Sequence, residues 1–118
     1  MSQHTAVLVP GDGIGPEVTD AVCRVLDAAK APLAWEHRLI GIRALEASGN
    51  VVPEDTLESI ERHGVALKGP CTTPVGEGFM SANVQLRKRL NLYAAVRPVR
   101  SLAGVPTRFE DVDIIILR

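Results

Sequence analysis

Short apolar runs alternate along the chain with amphipathic stretches, and Gly and Pro fall at the joints between them. Ala6 to Val9 is apolar and rich in β-formers, and Pro10-Gly11 closes it, which predicts a buried strand. Pro16 stands where a first helical residue belongs, because its missing N–H has no partner there in any case, and Glu17 suits the dipole of the first turn. Val18, Val22, Val25, Leu26 and Ala29 recur at helical spacing, predicting one apolar face and a stop before Pro32. Leu33, Trp35, His37 and Leu39 alternate as in a second strand. Ile42 to Ala47 predicts a short helix ended by Ser48-Gly49-Asn50. A further helix opens at Pro53, carries Glu54 and Asp55 in its first turn, puts Leu57 and Ile60 on one face and closes at Arg62-His63-Gly64.

Val65 to Leu67 predicts another buried strand, followed by a loop of breakers from Gly69 to Gly78 and a helix from Ala82 to Leu90. Ala94 to Arg97 predicts a strand halted by Pro98. Strands that alternate with helices imply an α/β layered structure. Val112 to Leu117 is the most apolar strand, and its Ile114-Ile115-Ile116-Leu117 run predicts cover on both faces, as on an inner parallel strand that a crossover helix follows. With Arg118 next to it as the last residue, the expectation is a truncated architecture.

Composition narrows the function classes. The 118 residues are 46% hydrophobic and 3% aromatic, with formal net charge -1, which fits one soluble domain able to bury roughly two-thirds of its unfolded surface without staples. Cys23 and Cys71 have no metal-like or redox-like spacing and are expected as reduced thiols in a cytoplasmic protein. No apolar run approaches the roughly 20 residues of a membrane span, and the first residues show no secretory leader. Four aromatics supply a poor stacking surface for nucleic acid.

The near-neutral total conceals a separation of charge. From Gly78 to Phe109 there is no Asp or Glu, while Arg87, Lys88, Arg89, Arg97, Arg100 and Arg108 all fall there. Ser81 and Asn83 open the helix, and Arg87 follows one turn after Asn83, so a hydroxyl, an amide and a guanidinium share one side of one element. Arginine forks and helix N-termini both favour carboxylate or phosphate, so the stretch reads as a small-anion site; a run such as 87 to 89 also serves as a solvated face. Arg97 inside an apolar strand predicts a buried guanidinium that needs an anionic partner.

Gly11-Asp12-Gly13-Ile14-Gly15-Pro16 lies where a dinucleotide-binding turn would sit, but Pro16 replaces the third small residue of that fingerprint. Close approach to a ligand and a plain βα turn both remain open. Lys68, at the end of a strand, either meets a ligand there or serves loop solubility. His4, His37 and His63 do not converge, His63 reads as a charge partner of its helix end, and Tyr93 reads as packing.

Six segments in register resemble the isocitrate/isopropylmalate family of β-decarboxylating dehydrogenases, and within it the isocitrate branch: Val9 to Val18, Leu67 to Pro70, Thr72 to Gly76, Ser81 to Arg87, Leu92 to Pro98 and Asp113 to Arg118. The resemblance implies that family's layered α/β fold, not a standard Rossmann fold and incomplete in this chain, with residues 1–97 belonging to a large domain and 98–118 beginning a smaller one. It implies oxidation and decarboxylation of isocitrate, a tricarboxylate, to 2-oxoglutarate with NAD or NADP and Mg2+ or Mn2+. Ser81, Asn83, Arg87, Arg97 and Arg118 match substrate-binding positions, Ile14, Thr73 and Asn83 match cofactor-binding positions, and Lys68 matches a position near the substrate. Ser-x-Asn at 81 to 83 favours isocitrate over the 3-isopropylmalate, homoisocitrate or tartrate enzymes. Catalytic residues and metal ligands match nothing in this chain and are expected downstream, so the chain alone is expected to be inactive. The resemblance also implies a homodimer at full length, with neither nucleic acid nor a membrane as partner. The rival reading from another class is a short, non-catalytic binding or regulatory subunit.

Overall fold

The computed structural model describes residues 3–72 and 80–118. The element order is β1 (His4–Val9), α1 (Gly15–Ala28), β2 (Leu33–His37), α2 (Ile42–Ser48), α3 (Glu54–His63), β3 (Ala66–Lys68), α4 (Ala82–Arg89), β4 (Val96–Arg100) and β5 (Asp113–Leu117). β1 is the centre of a parallel sheet of order β2-β1-β3, with Leu8 opposite His37 on one side and Leu67 on the other. Centrality explains its composition, since Ala6, Val7, Leu8 and Val9 are all buried.

The core lies on one face of this sheet. Val7 and Val9 point there by strand alternation and pack with Ile40, Val52, Leu57, Ile60 and Ala82, so α3 and the start of α4 share one apolar layer. Each such side chain, fully buried, contributes about 1.5–3 kcal/mol. Leu57 and Ile60 take the buried positions that their spacing predicts. Thr56, also buried, donates its hydroxyl to the Leu39 carbonyl at 2.9 Å, which ties α3 to the segment after β2.

α1 departs from expectation. Its valine stripe faces outward, with Val18 43% and Val25 67% exposed, and the buried positions are Gly15 and Thr19. Small residues allow the closer approach: the helix sits against the carbonyl of Pro10, to which Thr19 donates at 3.4 Å, and the larger side chains fall on the far side. The helix begins one residue before Pro16, at Gly15.

The last two strands also depart from expectation. β4 runs through Pro98 to Arg100 and pairs antiparallel with β5, Arg97 opposite Ile116 and Arg100 opposite Asp113. Ala95 and Arg118 exchange both backbone hydrogen bonds, at 2.8 and 3.0 Å. Alternation along an antiparallel ladder then turns residue 98 away from β5, where a missing N–H breaks no bond of the pair. β5 is thus neither parallel nor covered, and every residue of both strands is exposed. The strand also crosses the position between Arg97 and Pro98 that divides the two expected domains.

Glu36 on β2 fastens the open side of the sheet to the end of α3. Its carboxylate accepts hydrogen bonds from Ser59 (2.8 Å), Arg62 (2.8 and 2.9 Å) and His63 (2.7 Å), and Arg38 of its own segment also pairs with it. His63 therefore closes its helix as the sequence implies, but with a carboxylate partner from β2. Hydrogen bonds from His63 and Ser59, and then from Arg62, hold the Glu36 carboxyl well below the usual carboxylate range, at about 2. A carboxyl depressed on folding stabilises the fold fully above its unfolded value and loses that contribution as pH falls through the folded one. Glu36→Gln is expected to be less stable than the parent at neutral pH, and the difference should vanish between about 4.5 and about 2; thermal melts of both proteins across that range check it.

Candidate functional site

β1 and β3 are the strands at which the chain reverses its direction across the sheet, so the crevice beyond their carboxyl ends is where ligands of open α/β sheets lie. The two loops there are locked together. Gly69 N–H donates to Val9 O at 2.8 Å and Asp12 N–H donates to Pro70 O at 2.9 Å. Gly11 has φ +79°, and a Cβ there would collide with the Pro70 carbonyl, so this glycine serves loop-on-loop contact. The buried Asp12 carboxylate accepts from the backbone N–H groups of Ile42 (2.9 Å) and Arg43 (3.3 Å), capping α2 from outside its own segment. Gly41 at the start of α2 has φ +80° and no room for a Cβ beside that carboxylate.

With the loop pinned in this way, Ile14 stands at the entry to α1, 67% exposed. Lys68 folds back onto its own loop, donating to Gly69 O and, at 3.8 Å, to Cys71 Sγ. Burial pushes the Cys71 thiol up against the opposing influence of Lys68, so it stays protonated at neutral pH. Thr73 lies outside the described residues.

α4 presents the polar groups. Ser81 is its N-cap, and its carbonyl accepts the first helical bonds from Val84 (2.9 Å) and Gln85 (3.0 Å), while its hydroxyl makes no capping bond. Asn83 Oδ1 is buried and has no hydrogen-bond partner among the described residues. A buried acceptor left without a partner is costly.

At the other end of α4 lies a cavity of about 380 Å³ lined by Arg87, Leu92, Tyr93, Ala94, Ala95, Arg97 and Arg118. It gathers three of the arginines that the sequence separates by as many as 31 positions, by bringing the end of β5 back to the start of β4. No acidic residue lines it. Among the described residues, Arg38 and Arg62 pair with Glu36, Arg89 with Glu54, and Arg100 with Asp113, whereas Arg87, Arg97 and Arg118 make no ion pair. Arg97 is exposed and not buried as its apolar strand implied, because β4 carries no covering layer. Tyr93 is fully exposed and lines the cavity, so the packing reading fails; its position in the acid-free basic stretch was the available signal. The cavity brings together Arg87, Arg97 and Arg118. Ser81 and Asn83 sit a turn or more up the same helix, and Ile14 and Lys68 belong to the sheet crevice.

A sheet crevice and, on a helix and hairpin, a cluster of arginines with no ion pair among the described residues are the marks of this α/β fold. The chain belongs to the isocitrate/isopropylmalate dehydrogenase family, whose model matches residues 5–118. It is 47% identical over 114 residues to the mitochondrial NAD isocitrate dehydrogenase catalytic subunit 5 of Arabidopsis thaliana, covering 97% of this chain and 30% of that protein. It is 45% identical to the chloroplastic 3-isopropylmalate dehydrogenase of Solanum tuberosum, covering 96% and 32%. The crystal structure of isocitrate dehydrogenase from Methylococcus capsulatus superposes with a TM-score of 0.88 at 44% identity, covering 98% of this chain and 34% of that one. The chain therefore spans about a third of the length of the relatives it matches.

The Asp12 junction yields a stability contrast. Asp12→Ala should lower the unfolding free energy by about 1–3 kcal/mol, because it leaves two N–H groups of α2 and a packed loop without their partner. Ile14→Ala, at an exposed tip, should change it by less than about 0.5 kcal/mol. Urea denaturation of both variants checks the pair.

Proposed function

We propose that this chain is the substrate-binding part of an enzyme that oxidatively decarboxylates isocitrate to 2-oxoglutarate with NAD or NADP and a divalent metal. The observation that carries the reading is the cavity where Arg87, Arg97 and Arg118 converge, with no acidic lining residue and no ion pair among the described residues. Clustered guanidiniums repel one another, and a polycarboxylate relieves that repulsion through charge-assisted, forked hydrogen bonds.

The arginines alone serve isocitrate or 3-isopropylmalate, since both are multiply anionic and relatives carry both names. Ser81 and Asn83 tip the balance. A hydroxyl that makes no capping bond and a buried amide oxygen with no partner among the described residues favour a further polar group on the substrate over an isopropyl branch, which would leave them desolvated and unpaired. Within the reaction, the arginines bind and orient the carboxylates, Ser81 and Asn83 fix the end of the substrate nearest the start of α4, and Ile14 with Asn83 flanks the nicotinamide cofactor. The fit of a dinucleotide rests on exposed Ile14 at the pinned crevice and on the open valence of Asn83. When bound, the cofactor and metal supply the redox and Lewis-acid chemistry. Among the described residues no group of three His, Cys, Asp or Glu side chains could hold a metal, and no residue of this chain is assigned as catalytic.

Isothermal titration of the 118-residue chain tests the reading. Isocitrate should bind more tightly than 3-isopropylmalate, and Arg97→Gln should weaken isocitrate by about tenfold or more. The opposite preference, or indifference to Arg97→Gln, would overturn it. An absorbance assay of the same chain with isocitrate, Mg2+ and NAD or NADP should show no reduced cofactor.

A further inference from the structure

The basic triplet from Arg87 to Arg89 divides across one helix. Ala82 is buried, and Leu86 and Leu90 pack partly buried against the same core, so α4 meets the sheet layer along a stripe at i, i+4 and i+8. Arg89 falls on that stripe. Its Nη1 donates at 2.8 Å to the carbonyl of Val52, a residue with no exposed surface, and its Nη2 donates to Glu54 in the first turn of α3. Two residues turn an α-helix by about 200°, which sets Arg87 on nearly the opposite side of α4. There it lines the arginine cavity.

A stripe of one alanine and two half-covered leucines holds the rotation of α4 about its own axis only weakly, and that rotation decides where Asn83 and Arg87 point. An exposed ion pair such as Arg89 with Glu54 contributes little to stability by itself. Arg89 does more than pair. Its planar fork spans a carboxylate on α3 and a carbonyl fixed in the core, and both are met in one setting of the helix. We infer that Arg89 is a positioning residue: without touching the anion, it sets α4 so that Asn83 and Arg87 are presented to it. This inference rests on the reading of the arginine cavity as an isocitrate site, and it separates two neighbouring arginines by role, Arg87 for the ligand and Arg89 for the helix that carries it.

The test combines two measurements on the 118-residue chain: titration with isocitrate, and NMR of the orientation of the α4 amides relative to the β2-β1-β3 sheet. Arg89→Met keeps the side-chain stem and removes both donors. It should turn the α4 amides while the sheet amides stay in place, and weaken isocitrate about three- to tenfold although Arg87, Arg97 and Arg118 are all present. Arg89→Lys, whose ammonium has three donors, should recover most of that affinity. Action through Arg87 has its own signature. In an Arg87→Met background, Arg89→Met should cost little further affinity, while the two substitutions add in the unfolding free energy measured in urea. An unturned α4 in Arg89→Met, an affinity equal to the parent's, no recovery with Arg89→Lys, or affinity losses that simply multiply would each overturn the inference. Should the parent not bind isocitrate, the reading of the site falls, and the orientation of α4 decides this inference by itself: turned upholds it, unturned overturns it. Should Arg89→Met fail to fold, Glu54→Ala, which removes one of the two acceptors, takes its place with the same expected outcomes.

Discussion

One carboxylate joins three segments that are far apart in the chain. Asp12 accepts the first N–H groups of α2, its own N–H bonds Pro70 beyond β3, and its backbone forms the turn between β1 and α1. The charge is buried, and a buried anion is tolerated where backbone dipoles solvate it in place of water; the N-terminus of a helix is such a place. The close approach that this requires explains Gly11 and Gly41, whose neighbours leave no space for a side chain. The sheet crevice, the entry to α1 and the exposed presentation of Ile14 all rest on this junction.

The arginine cavity is organised by the opposite principle. At the Asp12 junction the carboxylate meets its N–H donors, while Arg87, Arg97 and Arg118 are brought together with no ion pair among the described residues. Nearby arginines are matched, Arg89 with Glu54 and Arg100 with Asp113. A cluster of like charge without counter-charge contributes nothing favourable to folding. The β1 core and the Glu36 clasp carry the stability, and the unmatched charge lies apart from them, on α4 and the hairpin.

Several surfaces carry side chains that a core would ordinarily claim. The valines of α1 and the isoleucines of β5 are exposed together, in a chain about a third as long as the relatives it matches. Periodicity identified both sets as apolar, and it identified the elements correctly. Which of those faces would meet a neighbour was a property of the neighbours present, and a helix can also dock through its small residues, as α1 does through Gly15 and Thr19.

Much of the local structure was legible in the residues themselves: the strand before Pro10-Gly11, the helix entered at Pro16, the Leu57 and Ile60 face, and the opening of α4 at Ser81 with Asn83 and Arg87 on one side. These follow from propensities and spacings that act within a few positions. The acid-free span from Gly78 to Phe109 likewise marked the stretch that holds Arg87 and Arg97 of the cavity. The resemblance grouped Arg118 with Arg87 and Arg97, but tertiary structure decided how they meet, because that depends on β5 returning antiparallel to β4. It decided that Asp12 caps a helix 30 positions away and that Glu36, silent in the pattern, binds Ser59, Arg62 and His63. The division has a physical cause: periodicity records how each segment prefers to face, whereas a hydrogen bond or charge contact between distant segments exists only once the sheet order has brought them together.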